Sequence, residues 1–333
     1  MKAVVIEEFG APEQAKIQEL PVPEPGAGEL LIEIAAAPVN FVDSLVFEGR
    51  YQFLPPRPFT PGKGPAGTVL AVGPGVTGFA PGDRVLAMAE QGGYAEQAIV
   101  PARDSFVLPD AVSFEDAATI SLAFDTAWVA LFERGRLSPG ETVLVLGSTG
   151  AVGNAAIQLA KAHGATVLAA VSSPSRADEV LQAGADGIVD LSRPNLREAL
   201  RDQVHELTDG HGADVVIDPL GGDIFDAALR AVAWRGRVVV VGFAAGRIPE
   251  VKVNYLMLKN MEVSGVQVSD YRKRMPDLMR RCFGEILDLA AEGRIKAGPR
   301  SRYPLSDYAR ALSDVVNRKA KGRALLIPGN TDL

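Results

Sequence analysis

The sequence predicts an α/β protein in which a doubly wound parallel sheet follows a smaller β-rich domain. Two observations carry that expectation. Residues 143–165, VLVLGSTGAVGNAAIQLAKAHGA, run from an apolar β-segment through a glycine-rich turn into a helix-patterned stretch. From Thr142 to about Gly265, apolar β-runs then alternate with helical stretches, the order that a parallel sheet covered by helices on both faces requires. At 333 residues the chain is also long for one core, so two domains are expected.

Taken in order, residues 1–110 read as strands KAVVIEE, ELLIEIAAAPV, GTVLAVG, DRVLAMA and YAEQAIVP, broken by PVPEPGAGE and FAPGD. Their irregular spacing and many glycines suit a small barrel-like antiparallel domain. The texture changes at Ser113, which reads as a helix N-cap with Glu115 and Asp116 in the first turn. AFDTAWVALFERGRL continues that helix to Gly135. Six β-runs follow: TVLVLG, ATVLAAVSS, DGIVDL, ADVVIDPLGG, GRVVVVG and MEVSGV. Helical stretches such as SRADEVLQAGA, NLREALRDQVHELT and FDAALRAVAW separate most of them. A long helix over Met275–Glu292, the segment YPLSDYARALSDVVNRKAKG and a last strand, RALLIP, return the chain to its first domain. The expected division is therefore 1–122 with 268–333, and 123–267.

The glycine-rich turn is where chemistry is legible. Val143–Leu146 suit a strand buried on both faces. Gly147, Gly150 and Gly153 allow a sharp turn and close approach of backbone N–H groups to phosphate. The helix-patterned stretch after them puts the positive end of a helix at that place. Ser148, Thr149, Gly150, Ala151, Val152 and Gly153 are thus the candidate pyrophosphate contacts, with Ser148 standing where the first glycine of GxGxxG would fall.

An acidic residue ending the second strand would hold the ribose hydroxyl of NAD. Here that strand ends in Val171-Ser172-Ser173-Pro174-Ser175-Arg176, with no carboxylate. Ser172, Ser173 and Arg176 suit a 2′-phosphate, which a guanidinium binds through a planar, charge-assisted fork. The predicted cofactor is NADPH. Ser173 and Ser175 also suit capping of the next helix, which uses the same geometry.

Bulk properties narrow the classes. A net charge of −7 argues against general nucleic-acid binding. No apolar run approaches the roughly 20 residues of a membrane helix. The start, MKAVVIEEFG, carries Glu7 and Glu8 and alternates like a strand, so a soluble cytoplasmic protein is expected. One cysteine, Cys282, leaves no disulfide framework and no cysteine-based zinc site, and its helical spacing reads as a buried structural thiol. His163, His205 and His211 show no ligand spacing.

At these residues the chain resembles the medium-chain dehydrogenase/reductase superfamily, in its zinc-free quinone oxidoreductase-like branch. The segments that carry the resemblance are APVNFVDSLVFEGRYQFLPPRPFTPGKGPAGTVLAVGPGVTGFAPGDRV, LGSTGAVG, VVIDPLGG and RGRVVVVGFAAGRIP. The resemblance covers essentially the whole chain. It implies a GroES-like catalytic domain split around a Rossmann domain, with the substrate cleft between them. It also implies a homodimer that reduces quinones, enones and other activated alkenes with NADPH. Where the zinc branch reads Gly-His-Glu this chain has Lys63 and Gly64, and the two cysteine ligand places fall near Asn40 and Leu122. No metal is expected, since a catalytic zinc takes three protein ligands.

Without a Lewis acid, an unactivated ketone is a poor acceptor. A quinone or enone differs, because delocalisation carries the arriving negative charge to oxygen, where a few hydrogen-bond donors suffice. By resemblance the donors come from the loop Asn40–Tyr51. Tyr51 is the candidate acid or hydrogen-bond donor, or a rim aromatic packing on a flat substrate. Asn40 is a pocket polar group, and Asp43 completes the family's NxxD pattern or pairs with Lys63. A second tyrosine of many quinone reductases is Leu45 here. Lys63 is a candidate fixed charge near the developing oxyanion, against the alternative of an ordinary ion pair. Further cofactor contacts implied by the resemblance are Thr126, Gly242, Phe243, Val266, Gln267 and, toward the phosphates, Arg323; Asn254 is a pocket candidate. Two other readings stand beside this one. The first is an enoyl-thioester reductase with a basic entrance from Arg50, Arg57 and Arg272-Lys273-Arg274. The second is an NADPH-binding protein without turnover.

Overall fold

The computed structural model describes residues 1–329. The N-terminal part contains β1 (Lys2–Val5), β2 (Lys16–Glu19), β3 (Glu29–Val39), α1 (Phe41–Phe47), β4 (Ala66–Val72), β5 (Arg84–Ala87), β6 (Gln97–Pro101) and β7 (Ser105–Val107). Helix α2 (Phe114–Trp128) opens on Ser113, whose Oγ accepts the Asp116 amide at 3.0 Å as its cap. A π-helical turn over Val129–Arg134 extends it to Gly135.

Next come β8 (Thr142–Val145), α3 (Ala151–Ala162), β9 (Thr166–Val171), α4 (Ala177–Gln182), β10 (Gly187–Asp190), α5 (Leu196–Leu207) and β11 (Ala213–Asp218). They are followed by α6 (Gly222–Ala228), β12 (Val232–Val240), α7 (Val253–Lys259), β13 (Glu262–Gly265) and α8 (Val268–Arg274). The chain ends with α9 (Pro276–Ala291), β14 (Arg300–Pro304), α10 (Tyr308–Val316) and β15 (Arg323–Ile327). Two compact units result: Met1–Leu122 with the segment from Pro276, and Ala123–Met275. The second crossing falls at Met275, after α8, rather than at the expected 267.

In the first unit β1 and β2 form a hairpin, and the main sheet has the order β14-β15-β3-β4-β5-β7. The 11-residue β3 is its spine, since β6 also pairs with it. Its neighbour β15 runs antiparallel, with Ala324 opposite Val39 and Leu326 opposite Ala37. This register brings Arg323, at the start of β15, beside Asn40, at the end of β3. Leu30, Ile32, Val69, Val85 and Val100 fill one core, and Val4, Ile6, Phe47, Tyr94 and Tyr308 another.

The second unit is a six-stranded parallel sheet of order β10-β9-β8-β11-β12-β13. The order reverses between β8 and β11, the switch point beyond whose carboxyl ends ligands bind in such sheets. This GroES-like β-rich unit and Rossmann-type parallel sheet are the predicted fold class. The stretch read as one helix, FDAALRAVAW, is instead α6 followed by the first residues of β12. Arg235, at φ +64°, and a register shift at Ala213/Val215 let β12 begin early. Cys282 is buried in α9, as its spacing suggests. Among the described residues, no helix is long and apolar enough to cross a membrane.

Candidate active site

The glycine turn lies at the switch point of the second unit, between the end of β8 and the start of α3. Gly147 takes φ +59°, a conformation that favours glycine. A Cβ there would also meet the Pro219 and Leu220 side chains of the turn after β11 at 3.1 Å. At Gly153 a Cβ would lie 2.3 Å from the Gly147 carbonyl oxygen and 2.8 Å from Ser148 Cα, so helix and turn pack backbone against backbone. Gly150 is the N-cap, with extended backbone. The amides of Ala151, Val152 and Gly153 follow in the first turn, where a helix offers them no internal acceptor. That cradle of amides at the positive end of a 12-residue helix fits a pyrophosphate. Ser148 does not aim its hydroxyl there. It is buried, and its Oγ donates to the Val145 carbonyl at 2.7 Å.

Asp218, at the end of β11, shapes the other wall. Its carboxylate accepts the amides of Leu220 at 2.9 Å and Gly221 at 3.0 Å, an Asx-type turn. Burial raises its pKa against those two hydrogen bonds. No task for Asp218 is evident from sequence pattern alone; the signal it carries is an Asp-Pro shortly before paired glycines.

Past β9, Ser173 Oγ accepts the Ser175 amide at 3.3 Å and lies 2.8 Å from Ser175 Oγ, capping the turn that leads into α4. The Arg176 guanidinium reaches Glu179 through Nη2 at 2.7 Å and Nε at 3.1 Å. Both are surface groups, so the pair is weak and easily exchanged for a dianionic phosphate. Ser172 is exposed beside them.

The remaining predicted cofactor contacts, Arg323 apart, sit in the same unit. Thr126 lies on α2 and donates to Asp125 Oδ1 at 3.3 Å. Gly242 follows β12, with its amide directed to the Asp218 carbonyl at 3.3 Å; Phe243 is exposed. The Val266 amide donates to Val240, and Gln267 caps α8 by accepting the Ser269 amide at 2.8 Å. Asn254 is exposed in the first turn of α7. The basic run at 272–274 needs a correction. Arg272 is only 6 % exposed and is paired with the fully buried Asp125 at 2.5 Å, so it adds no cation to a surface entrance.

In the first unit, the stretch expected as a loop from Asn40 is helical over α1. Asn40 is its N-cap and Asp43 closes a capping box, with Oδ2 accepting the Asn40 amide at 2.8 Å. The NxxD pattern is therefore a helix-start device. Asp43 does not pair with Lys63, as one expectation had it. Its Oδ2 also accepts the Tyr94 hydroxyl at 2.9 Å, whereas Oδ1 is buried with no hydrogen-bond partner among the described residues. Lys63 is buried, forms an ion pair with Glu90, and sits 4.7 Å from the centre of the Tyr51 ring.

Arg323 belongs to the first unit, and its Nη2 donates to Asn40 Oδ1 at 2.7 Å. A guanidinium only donates, so this bond fixes which way the Asn40 amide faces. The carbonyl oxygen is held, and the NH₂ is the donating end, directed in this structure to the Pro38 carbonyl at 3.4 Å. Tyr94 and Glu90 were missed in the sequence, where nothing links them to Asp43 and Lys63. Among the described residues, no three His, Cys, Asp or Glu side chains converge on one point.

Burial raises the Asp43 pKa from 3.8 to about 6, against the opposing Asn40 amide, Tyr94 hydroxyl, and Lys63 and Arg323 charges. Burial and Asp43 together push the Tyr94 hydroxyl well above its usual range. Folded Asp43 thus keeps its proton to higher pH than unfolded Asp43. Its contribution favours folding fully below about pH 3.8 and is lost as pH rises through about 6, a change of about 3 kcal/mol. Asp43→Asn removes that slope. The difference in unfolding free energy, variant minus parent, is expected to be about 3 kcal/mol more favourable near pH 7.5 than near pH 4. Urea titrations at the two pH values measure it; a constant difference refutes the burial account.

Residues 26–110 match the alcohol dehydrogenase GroES-like domain family, and residues 151–284 the family described as zinc-binding dehydrogenase. A quinone oxidoreductase-like protein 2 homolog of Nematostella vectensis is 34 % identical over 98 % of this chain and 88 % of its own length. The native structure of a mycobacterial quinone oxidoreductase superposes with a TM-score of 0.90 at 34 % identity, covering 98 % of this chain and all of the other. The Escherichia coli quinone oxidoreductase, solved in complex with NADPH, gives 0.86 at 29 % identity, over 98 % and 100 % of the two chains.

Proposed function

The chain belongs to the quinone oxidoreductase-like branch of the medium-chain dehydrogenases/reductases, and from this we propose an NADPH-dependent, zinc-independent reductase of quinones or α,β-unsaturated carbonyls. The observation that carries the reading is the turn at 147–153. Its backbone crowding at Gly153 and first-turn amides match a dinucleotide pyrophosphate. Ser172, Ser173 and Arg176 then suit the 2′-phosphate, with Arg176 exchanging Glu179 for it. NADPH, when bound, supplies the hydride.

The protein's own part is to orient the acceptor and receive charge on its oxygen. Tyr51 and the Asn40 amide are the donors assigned to that task, and Arg323 is the positioning residue that holds the Asn40 carbonyl oxygen, leaving an NH₂ whose 3.4 Å bond to the Pro38 carbonyl is long enough to be exchanged. Asp43 holds Asn40 through the start of α1 and is not a donor to substrate. Lys63 supports Tyr51 as a cation over its ring; its charge is balanced by Glu90, which speaks against an oxyanion role. Helix α7 leaves Val253, Met257 and Leu258 between 68 % and 75 % exposed, which supports a homodimer.

Stopped-flow NADPH oxidation with 1,4-benzoquinone, an alkyl enone and crotonyl-CoA tests the reading. The quinone and the enone are expected to turn over fastest, with no loss in a chelator. Arg176→Ala is expected to raise the KM for NADPH by about tenfold or more, leaving NADH unchanged. Preference for the thioester, loss of activity with chelator, or tight NADPH binding without oxidation would each replace the proposal.

A further inference from the structure

The second unit carries a cavity of about 320 Å³ lined by Arg201, His205, Arg230, Tyr255 and Lys259. No carboxylate lines it, although the chain as a whole is acidic. Along α5, Arg197, Arg201 and His205 recur every four residues, which sets them on one face over about 12 Å. Tyr255 and Lys259 have the same spacing on α7, and Arg197 Nη2 donates to the Tyr255 hydroxyl at 2.8 Å across the two helices. Two rows of donors therefore face one groove.

Its carboxylate neighbours neutralise it only in part. Glu198 takes Nη1 of Arg230 at 2.8 Å, and Asp202 makes only a long 3.5 Å contact with Arg201. Lys259 gives hydrogen bonds to the Arg230 and Val232 carbonyls, both at 2.8 Å, so its charge meets no carboxylate there. His205 Nδ1 lies 2.8 Å from the Gly210 carbonyl, so this nitrogen carries the proton. After burial, the charges of Arg201 and Arg230 are what lower the Lys259 pKa, the mark of a field that remains positive.

The position is informative. Val232 opens β12, and Gly210 precedes β11, so the groove lies by the amino ends of the parallel strands. The glycine turn lies beyond their carboxyl ends. The groove is thus separate from the dinucleotide site and does not depend on the redox reading.

We propose that this groove is a second anion site, built for the phosphate groups of a phosphorylated small molecule. Two guanidinium forks, an ammonium and a phenol offer several donors to tetrahedral oxygens. The volume exceeds a lone phosphate and accommodates an attached organic group.

Calorimetric titration of the full chain with sodium pyrophosphate tests it, with and without saturating NADPH. Saturable binding is expected, with Kd on the order of 0.1–1 mM, unchanged by NADPH. Arg201→Glu and Arg230→Gln are each expected to weaken it about tenfold, while NADPH affinity holds. No saturable heat, affinity in both variants equal to that of the parent, or displacement by NADPH would overturn the site. Unaltered urea midpoints in the variants separate lost binding from lost folding.

Discussion

Gly153→Ala is expected to cost about 3 kcal/mol of stability and to weaken NADPH binding about a hundredfold. Its added methyl would sit 2.3 Å from the Gly147 carbonyl oxygen, with Gly147 C and Ser148 Cα both at 2.8 Å. These are backbone atoms, so no side chain can rotate away. Either the turn opens or α3 shifts outward from β8, and each displaces the first-turn amides. Gly284→Ala is the control. Helix α9 leaves that position exposed with nothing within 4 Å of a Cβ, so there alanine is expected to gain up to about 1 kcal/mol. Urea unfolding and NADPH fluorescence titration of both variants measure the two effects. Full NADPH affinity in Gly153→Ala would mean that the turn is not the cofactor cradle.

The turn was legible because its strand, glycines and helix start lie within a dozen residues, whereas its packing against Pro219 and Leu220 was not. The same holds for the 29–39 strand, read as a β-run set off by the preceding Pro/Gly cluster, and for the Ser113 cap, read from its acidic first turn. Helix α1 had an equally local signal, an Asn followed three residues later by an acid, but the family pattern drew attention to its chemistry instead. What the sequence could not disclose is contact across distance. Tyr94 meets Asp43 over 51 residues, and Arg323 meets Asn40 over 283, through a strand register that no periodicity encodes. Short helices failed for a different reason. Helix α7 has exposed apolar residues and α8 is almost wholly polar, so neither shows a clean amphipathic stripe.

The same blindness made Arg272 look like surface charge, and its removal is the second large effect expected. Asp125 and Arg272 are 147 residues apart in sequence and both are buried, joined through Nη2 at 2.5 Å and Nε at 3.2 Å. Burial raises the Asp125 pKa, and the guanidinium is the first of the groups that oppose this. Arg272→Met leaves a carboxylate in the interior without its counter-ion, which costs about 3–5 kcal/mol. Since protonation relieves that charge, the loss should shrink as pH falls below neutrality. Asp125→Leu combined with Arg272→Met removes both charges and should recover most of the stability, a coupling that a double-mutant cycle measures. The pair also ties α8 to α2, and α8 is capped by Gln267, next to Val266. Loosening it should raise the KM for NADPH in the single variant and only partly restore it in the double. A double variant no more stable than the single would show that packing, not charge, holds α8 in place.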